Sequence, residues 1–242
     1  MIRRHFEVGE TAVTIITDEE FVPVAEESVF RSREVIQRFI RQDPLFQVTL
    51  EPYHAPDDAP PLIARMCAAG QAASVGPMAA VAGAIAEQAV VDMRAAGAAR
   101  AMVDNGGDIA FLIREEARVA LYAGEGVRGL GFLVQPRPEV FGMCTSSATV
   151  GPSISFGMAD AATVISPNVA LADACATLLG NLVTDAEDAT LSAALTKVCS
   201  IPGVEGALVT AGGKVAMKGR LPEMVKAPEA LSQVSRIELG YH

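Results

Sequence analysis

Tryptophan is absent from this chain, and aromatic residues make up only 5% of its 242 positions. Large rings therefore cannot carry the core, and the many alanines imply that backbones approach closely over small side chains. Histidine is scarce: His5, His54 and His242 are far apart, and no His-Cys cluster supports a zinc or iron centre. Cys67, Cys144, Cys175 and Cys199 show no C-x-x-C spacing, so they read as reduced, mostly buried thiols of a cytoplasmic protein. No basic stripe exists. The densest cations, Arg31, Arg33, Arg38 and Arg41, are interleaved with apolar positions on one expected helix. With a formal net charge of -10, that pattern argues against a nucleic-acid partner. The first residues lack the apolar core of a signal peptide. The least polar region, 140–172, is broken by Pro152, Asp160 and Pro167, so no membrane span is expected. Neither G-x-G-x-x-G nor a Walker lysine ending occurs.

What is present suits a globular protein: 50% apolar and 20% charged residues, enough for one domain over 1–242. The compositional change at Pro136-Arg137-Pro138-Glu139 is the best place for a subdomain seam, near 136–139. Residues 5–17 predict a hairpin about Gly9-Glu10, and helical spacing runs from Val24 to Ile40. Leu45–Leu50 reads as a strand after Asp43-Pro44. A helix is expected near 61–73, and Gly76-Pro77 opens a long alanine-rich helix to about Ala96. Strands follow near 99–104, 109–114, 117–123, 129–134 and 161–165, and helices from Asn168 to Leu182 and over 189–199. Ala211-Gly212-Gly213 marks a further hairpin, and Val234–Leu239 alternates as an edge strand does. The fold class is mixed α/β (α+β), with helices packed on largely antiparallel sheets.

Two segments place carboxylates among apolar residues. In Asn105-Gly106-Gly107-Asp108, the glycines allow positive φ and expose backbone N–H groups, and Asp108 is free to meet a cation or a ribose. The same residues also make an ordinary tight turn. In Ala172-Asp173-Ala174-Cys175-Ala176-Thr177, Asp173 and Thr177 share one helix face, about 5–6 Å apart at Cβ. A carboxylate and a hydroxyl at that spacing suit Mg²⁺ or Ca²⁺; alternatively, Thr177 bonds back to its own helix. No Lys or Arg lies between Arg137 and Lys197 to pair with Asp173 locally. The run from Cys144 through Thr145, Ser146, Ser147 and Thr149 is rich in hydroxyls, as a loop around a diphosphate or a plain surface loop would be. Val75-Gly76-Pro77-Met78 sets a helix start where an anion can bind. Cys144 has no histidine near it in sequence to act as its base, and His54 reads as solvent-facing.

Those segments resemble the ApbE-type FAD:protein FMN transferases over roughly 100–182. Val75-Gly76-Pro77-Met78-Ala79-Ala80-Val81-Ala82-Gly83-Ala84-Ile85-Ala86-Glu87 is similar to the signature of a bacterial and archaeal family related to them, over nearly the whole chain. The resemblance implies an ApbE-like fold of two interlocked halves, Asp173 and Thr177 as divalent-metal ligands, and Gly106-Gly107-Asp108 at a flavin nucleotide site. It also implies FAD or another phosphorylated ligand as cofactor, and a protein acceptor as partner. The His-x-x-Asp-Pro-x-x-Gly segment of the transferases has no counterpart between Asp108 and Asp160. Three readings follow: a metal-dependent flavin- or nucleotide-handling protein acting on a diphosphate or phosphoester, a non-catalytic binding protein for a phosphorylated cofactor, or a homo-oligomeric interaction subunit joined through the alanine-rich helix.

Overall fold

A computed structural model describes residues 1–9, 11–121, 127, 129–146, 157–227 and 236–239, the last four as backbone alone. Strands β1 (Ile2–Val8) and β2 (Thr11–Thr17) form the first hairpin, followed by helix α1 (Val22–Gln42), a single turn α2 (Leu45–Val48) and α3 (Pro61–Ala73). Helix α4 (Val81–Ala95) leads into β3 (Ala101–Asn105), β4 (Asp108–Leu112), β5 (Ala117–Ala120), β6 (Leu130–Val134), β7 (Phe141–Ser146) and β8 (Ala161–Ser166). Helices α5 (Val169–Leu182) and α6 (Asp188–Cys199) precede β9 (Gly206–Ala211), β10 (Lys214–Gly219), β11 (Glu223–Lys226) and β12 (Arg236–Leu239).

Two antiparallel sheets result. The larger has eight strands in the order β1-β2-β3-β4-β7-β8-β9-β10, and the smaller has the order β11-β6-β5-β12. Helices cover one face of the large sheet and the small sheet covers the other, so its central strands are buried on both sides. In β4 the pleat sends Ala110 and Leu112 toward the helices, and Ile109 and Phe111 toward the small sheet. On that second face Phe111 stacks on Phe141 of β7, with ring centroids 5.1 Å apart. Asp108 shares the helix-facing side of β4. The chain passes from the small sheet to the large one across 135–140.

Local chemistry explains most elements and corrects three expectations. Residues 45–50 are not a strand: Pro44 starts a turn, Asp43 Oδ1 accepts from the Leu45 N–H at 3.0 Å, and only Phe46 enters the core. Phe46 lies edge-on to Phe39 and Tyr53, while Leu45, Val48 and Leu50 stay exposed. The alanine-rich helix is not continuous from Pro77. Residues Pro77–Ala80 form a tight 3₁₀ turn, and Ala80, at φ -116° and ψ 8°, separates it from α4. The run from Cys144 does not begin as a loop. Phe141–Ser146 is a strand, because Phe141 and Met143 fill one core while Gly142 and Cys144 face the helices. Strand β11 was not anticipated. Among the described residues, no single helix is long and apolar enough to cross a membrane.

The small residues of α4 are used within the chain. At Gly83 an added Cβ would lie 2.6 Å from Val169 O and 2.8 Å from Asp173 Cβ, so α4 and α5 cross backbone to backbone there. The interaction-subunit reading drew on this same stripe, but Gly83 is consumed by packing against α5. In an ordinary helix, Gly→Ala stabilises by about 0.5–1 kcal/mol. Here the crowding should outweigh that gain: Gly83→Ala is expected to lower stability by about 1–3 kcal/mol in urea denaturation. A stabilised variant would show that the crossing is loose.

Candidate functional site

The site is assembled where the β3–β4 turn meets the starts of α4 and α5. Asn105 and Asp108 pair across a two-residue turn in which Gly106 has φ 71° and Gly107 φ 104°, the conformation that mirror-image hairpin turns demand. A Cβ at Gly106 would meet nothing within 4 Å, so backbone geometry alone requires glycine there. The Gly107 N–H is already taken, donating to Asp104 Oδ1 at 2.9 Å. The Asn105 amide donates to Ala82 O at 3.1 Å and ties this turn to the start of α4.

Asp108, at the head of β4, lies opposite Cys144 of β7 in the strand register and faces the helices. Asp173 reaches the same place from α5, whose first turn is capped by Asn168 Oδ1 accepting from the Leu171 N–H at 3.0 Å. Asp173 Oδ2 accepts from the Gly83 N–H at 2.8 Å, and the Ala82 N–H also donates to this carboxylate. The unpaired amides at the start of α4 are therefore filled by the chain's own anion. A second carboxylate makes the reverse contact. Glu87, one turn along α4, accepts at Oε2 from the Ala170 N–H at 3.4 Å and also receives the Val169 N–H, at the start of α5. Arg65 Nη1 stands 3.9 Å from the same oxygen.

Burial dominates the electrostatics. It pushes the Asp173 carboxyl up to about 7, against the opposing pull of the Gly83 and Ala82 amides. Asp108 is raised well above the usual carboxylate range, first by burial and then by the charge of Asp173, with hydrogen bonds from Cys144 and the Thr145 N–H opposing. Its Oδ1 is buried and has no hydrogen-bond partner among the described residues. Burial and then the two aspartates also push the Cys144 thiol well above its ordinary value, which does not suit a thiolate nucleophile. Glu87 is raised by burial, an effect moderated by Arg65 and the two α5 amides. No ion pair reaches Asp108 or Asp173 among the described residues.

The residues singled out from sequence are divided by the fold. Asp108, Asp173 and Asn105 converge on the helix side of the sheet. Thr177 is half-buried one turn along α5 from Asp173. Thr145 is on the opposite face from Cys144, its hydroxyl 2.9 Å from that of Thr163, and Ser146 ends β7. Ser147 and Thr149 lie outside the described residues. His54 is exposed, with Nδ1 3.3 Å from Gln71 Nε2, and His5 contacts Thr14, so neither reaches the site. Sequence reading missed Glu87 as a site neighbour, and it placed Cys144 in a loop and not on the strand beside Asp108. The signal available was a matched spacing, Gly83 to Glu87 and Val169 to Asp173, each one helical turn. Among the described residues no three His, Cys, Asp or Glu side chains group to hold a metal by themselves. A cation here would need hydroxyl, backbone, water or ligand oxygens as well.

Comparison with known proteins agrees with this architecture. The chain is 52% identical over 223 residues to a "UPF0280 protein" of Methanocella arvoryzae, covering 92% of this chain and 90% of that one. It is 47% identical over 230 residues to a "UPF0280 protein" of Methanothrix thermoacetophila, covering 94% and 96%. Among solved structures it matches the flavinyl transferase ApbE of Pseudomonas stutzeri in its apo form, with TM-score 0.56, 11% identity, and 90% and 94% of the two chains covered. It also matches the ApbE protein of Thermotoga maritima, with TM-score 0.58, 10% identity, and 90% and 96% covered. At such identities the likeness is one of fold. Since the family model described as "AbpE bacteria" matches residues 2–226, the chain belongs to that family, and its fold is ApbE-like.

Proposed function

We propose that the protein binds a flavin nucleotide or a similar phosphorylated ligand together with a divalent cation, and acts on its diphosphate or phosphoester. The observation that carries this reading is Asp173: a buried carboxylate on α5 with no ion pair among the described residues, in a fold shared with a flavinyl transferase. Carboxylate and hydroxyl oxygens are hard donors, so Asp173 and Thr177 fit Mg²⁺ or Ca²⁺ and not a softer ion. When bound, such a cation neutralises charge on a diphosphate and polarises its oxygens. The chain's own part is to hold the Asp173 carboxylate in place, through the Ala82 and Gly83 amides, and to keep the site dry. A protein acceptor for a transferred flavin phosphate belongs to the same reading.

A binding role without turnover is the second reading. It is favoured by the positions of His5 and His54, which leave both imidazoles away from the carboxylates. Turnover of FAD, or its absence under conditions where FAD binds, separates the two.

Calorimetric titration of FAD into metal-stripped protein should give heat only when Mg²⁺ is added; no heat under either condition would contradict a flavin ligand. Asp173→Asn keeps an acceptor for the Gly83 N–H but loses the charge. It is expected to weaken divalent-cation affinity at least tenfold, and an unchanged affinity would remove Asp173 from the site. Because burial raises the Asp173 carboxyl to about 7, a cation must displace its proton below that pH. Affinity should therefore fall at least tenfold per pH unit on the acid side. A flat profile across that range would mean that Asp173 is not a ligand.

A further inference from the structure

Among the described residues two buried side-chain polar atoms lack a hydrogen-bond partner, Arg65 Nε beside Glu87 and Asp108 Oδ1. Of these, Asp108 is the acidic one, and its Oδ1 stands without a partner among the described residues. The Cys144 thiol and the Thr145 N–H supply its carboxyl with donors, and these must therefore serve the other oxygen. The Cys144 sulfur also has the Val169 carbonyl 3.5 Å away as an alternative acceptor. Leaving a carboxylate oxygen unsatisfied in a buried place is costly, and a second carboxylate nearby raises the cost. Folded proteins accept such an atom only for a reason, commonly a bound water or ion. Asp108 comes from β4 and Asp173 from α5, so two chain segments bring two buried acidic groups close enough to act on each other's charge.

We propose that Asp108 is the second carboxylate ligand of the divalent cation, opposing Asp173 across the site, with its free Oδ1 as the donor atom. This rests on the reading of Asp173 as a cation ligand and adds to it. Two carboxylates match the charge of one divalent ion, which removes the repulsion between them and satisfies the orphaned oxygen together. Cys144 does not join them as a thiolate. Its thiol is engaged as a hydrogen-bond donor and is held protonated by burial and the two acidic groups, so the ion sees oxygen donors and the site selects a hard cation. Asp108 then belongs to the cation, and the adjacent Gly106-Gly107 pair serves to turn the chain so that Asp108 faces the helices.

Mn²⁺ alone is the probe, titrated into metal-stripped protein with free Mn²⁺ followed by electron paramagnetic resonance. Wild type should bind one Mn²⁺ per chain, and Asp108→Asn should bind at least tenfold more weakly. Without metal, the Asp108→Asn protein should melt no lower than wild type, since a neutral amide replaces a buried carboxyl beside Asp173. Added Mn²⁺ should raise the melting temperature of wild type and not that of the variant. If folded Asp108→Asn binds Mn²⁺ as wild type does while Asp173→Asn does not, this inference fails and the Asp173 reading stands. If wild type binds no Mn²⁺, both fail. If Asp108→Asn does not fold, the wild-type protein carries the test: substoichiometric Mn²⁺ should broaden the assigned ¹³Cγ resonances of both Asp108 and Asp173. Broadening of Asp173 alone would overturn the inference.

Discussion

The crossing of α4 and α5 at Gly83 is the constraint on which the rest depends. Each helix lends a carboxylate to the other's first turn: Asp173 of α5 takes the Gly83 and Ala82 amides, and Glu87 of α4 takes the Ala170 and Val169 amides. Hydrogen bonds to charged groups contribute about 1.5–3 kcal/mol each, and here they offset part of the cost of burying two carboxylates. Neither exchange is possible unless the backbones touch, which is why glycine occupies position 83. The break at Ala80 matters for the same reason. Had the helix run on unbroken from Pro77, the Ala82 and Gly83 amides would be spent inside it.

From that crossing the site follows in order. Seating α5 against β7 and β8 brings Asp173 over the sheet, and the strand register sets Asp108 beside Cys144 beneath it. Asn105 then ties the β3–β4 turn to Ala82, so the turn, both helix starts and Asp173 are linked by hydrogen bonds. The helix start that a free anion would seek is occupied by Asp173. Any phosphate drawn to this place must come with a cation, because the groups lining it are acidic. That requirement connects the geometry to a metal-dependent reading of an ApbE-like fold.

Much of the frame was legible in the residues because it is written locally. Pro61 in the first turn of α3, Asn168 capping α5, and glycines at positive φ in the hairpins are signals contained within a few positions. Of the edge strand read over Val234–Leu239, Arg236–Leu239 stands as β12 at one end of the small sheet for the same reason, and 234–235 lie outside the described residues. What was misread depends on partners distant in sequence. Leu45, Val48 and Leu50 have strand-like chemistry, but Pro44, the Asp43 cap and the Phe39–Tyr53 rings around Phe46 decide otherwise. Cys144 and Thr145 have loop-like chemistry, yet pairing with β4 and β8 makes them a strand. The same limit applies to the site. Asp173 and Gly83 stand 90 positions apart, so neither their contact nor the role of Glu87 could be read from a motif.

The central claim is that this crossing presents two aspartates to one hard cation. The most direct test is a crystal of the metal-stripped protein soaked in Mn²⁺, with an anomalous difference map calculated at the manganese edge. The account predicts one strong peak between Asp108 and Asp173, about 2.0–2.6 Å from an oxygen of each. A well-ordered site with no peak there, or manganese bound only elsewhere on the chain, would contradict it.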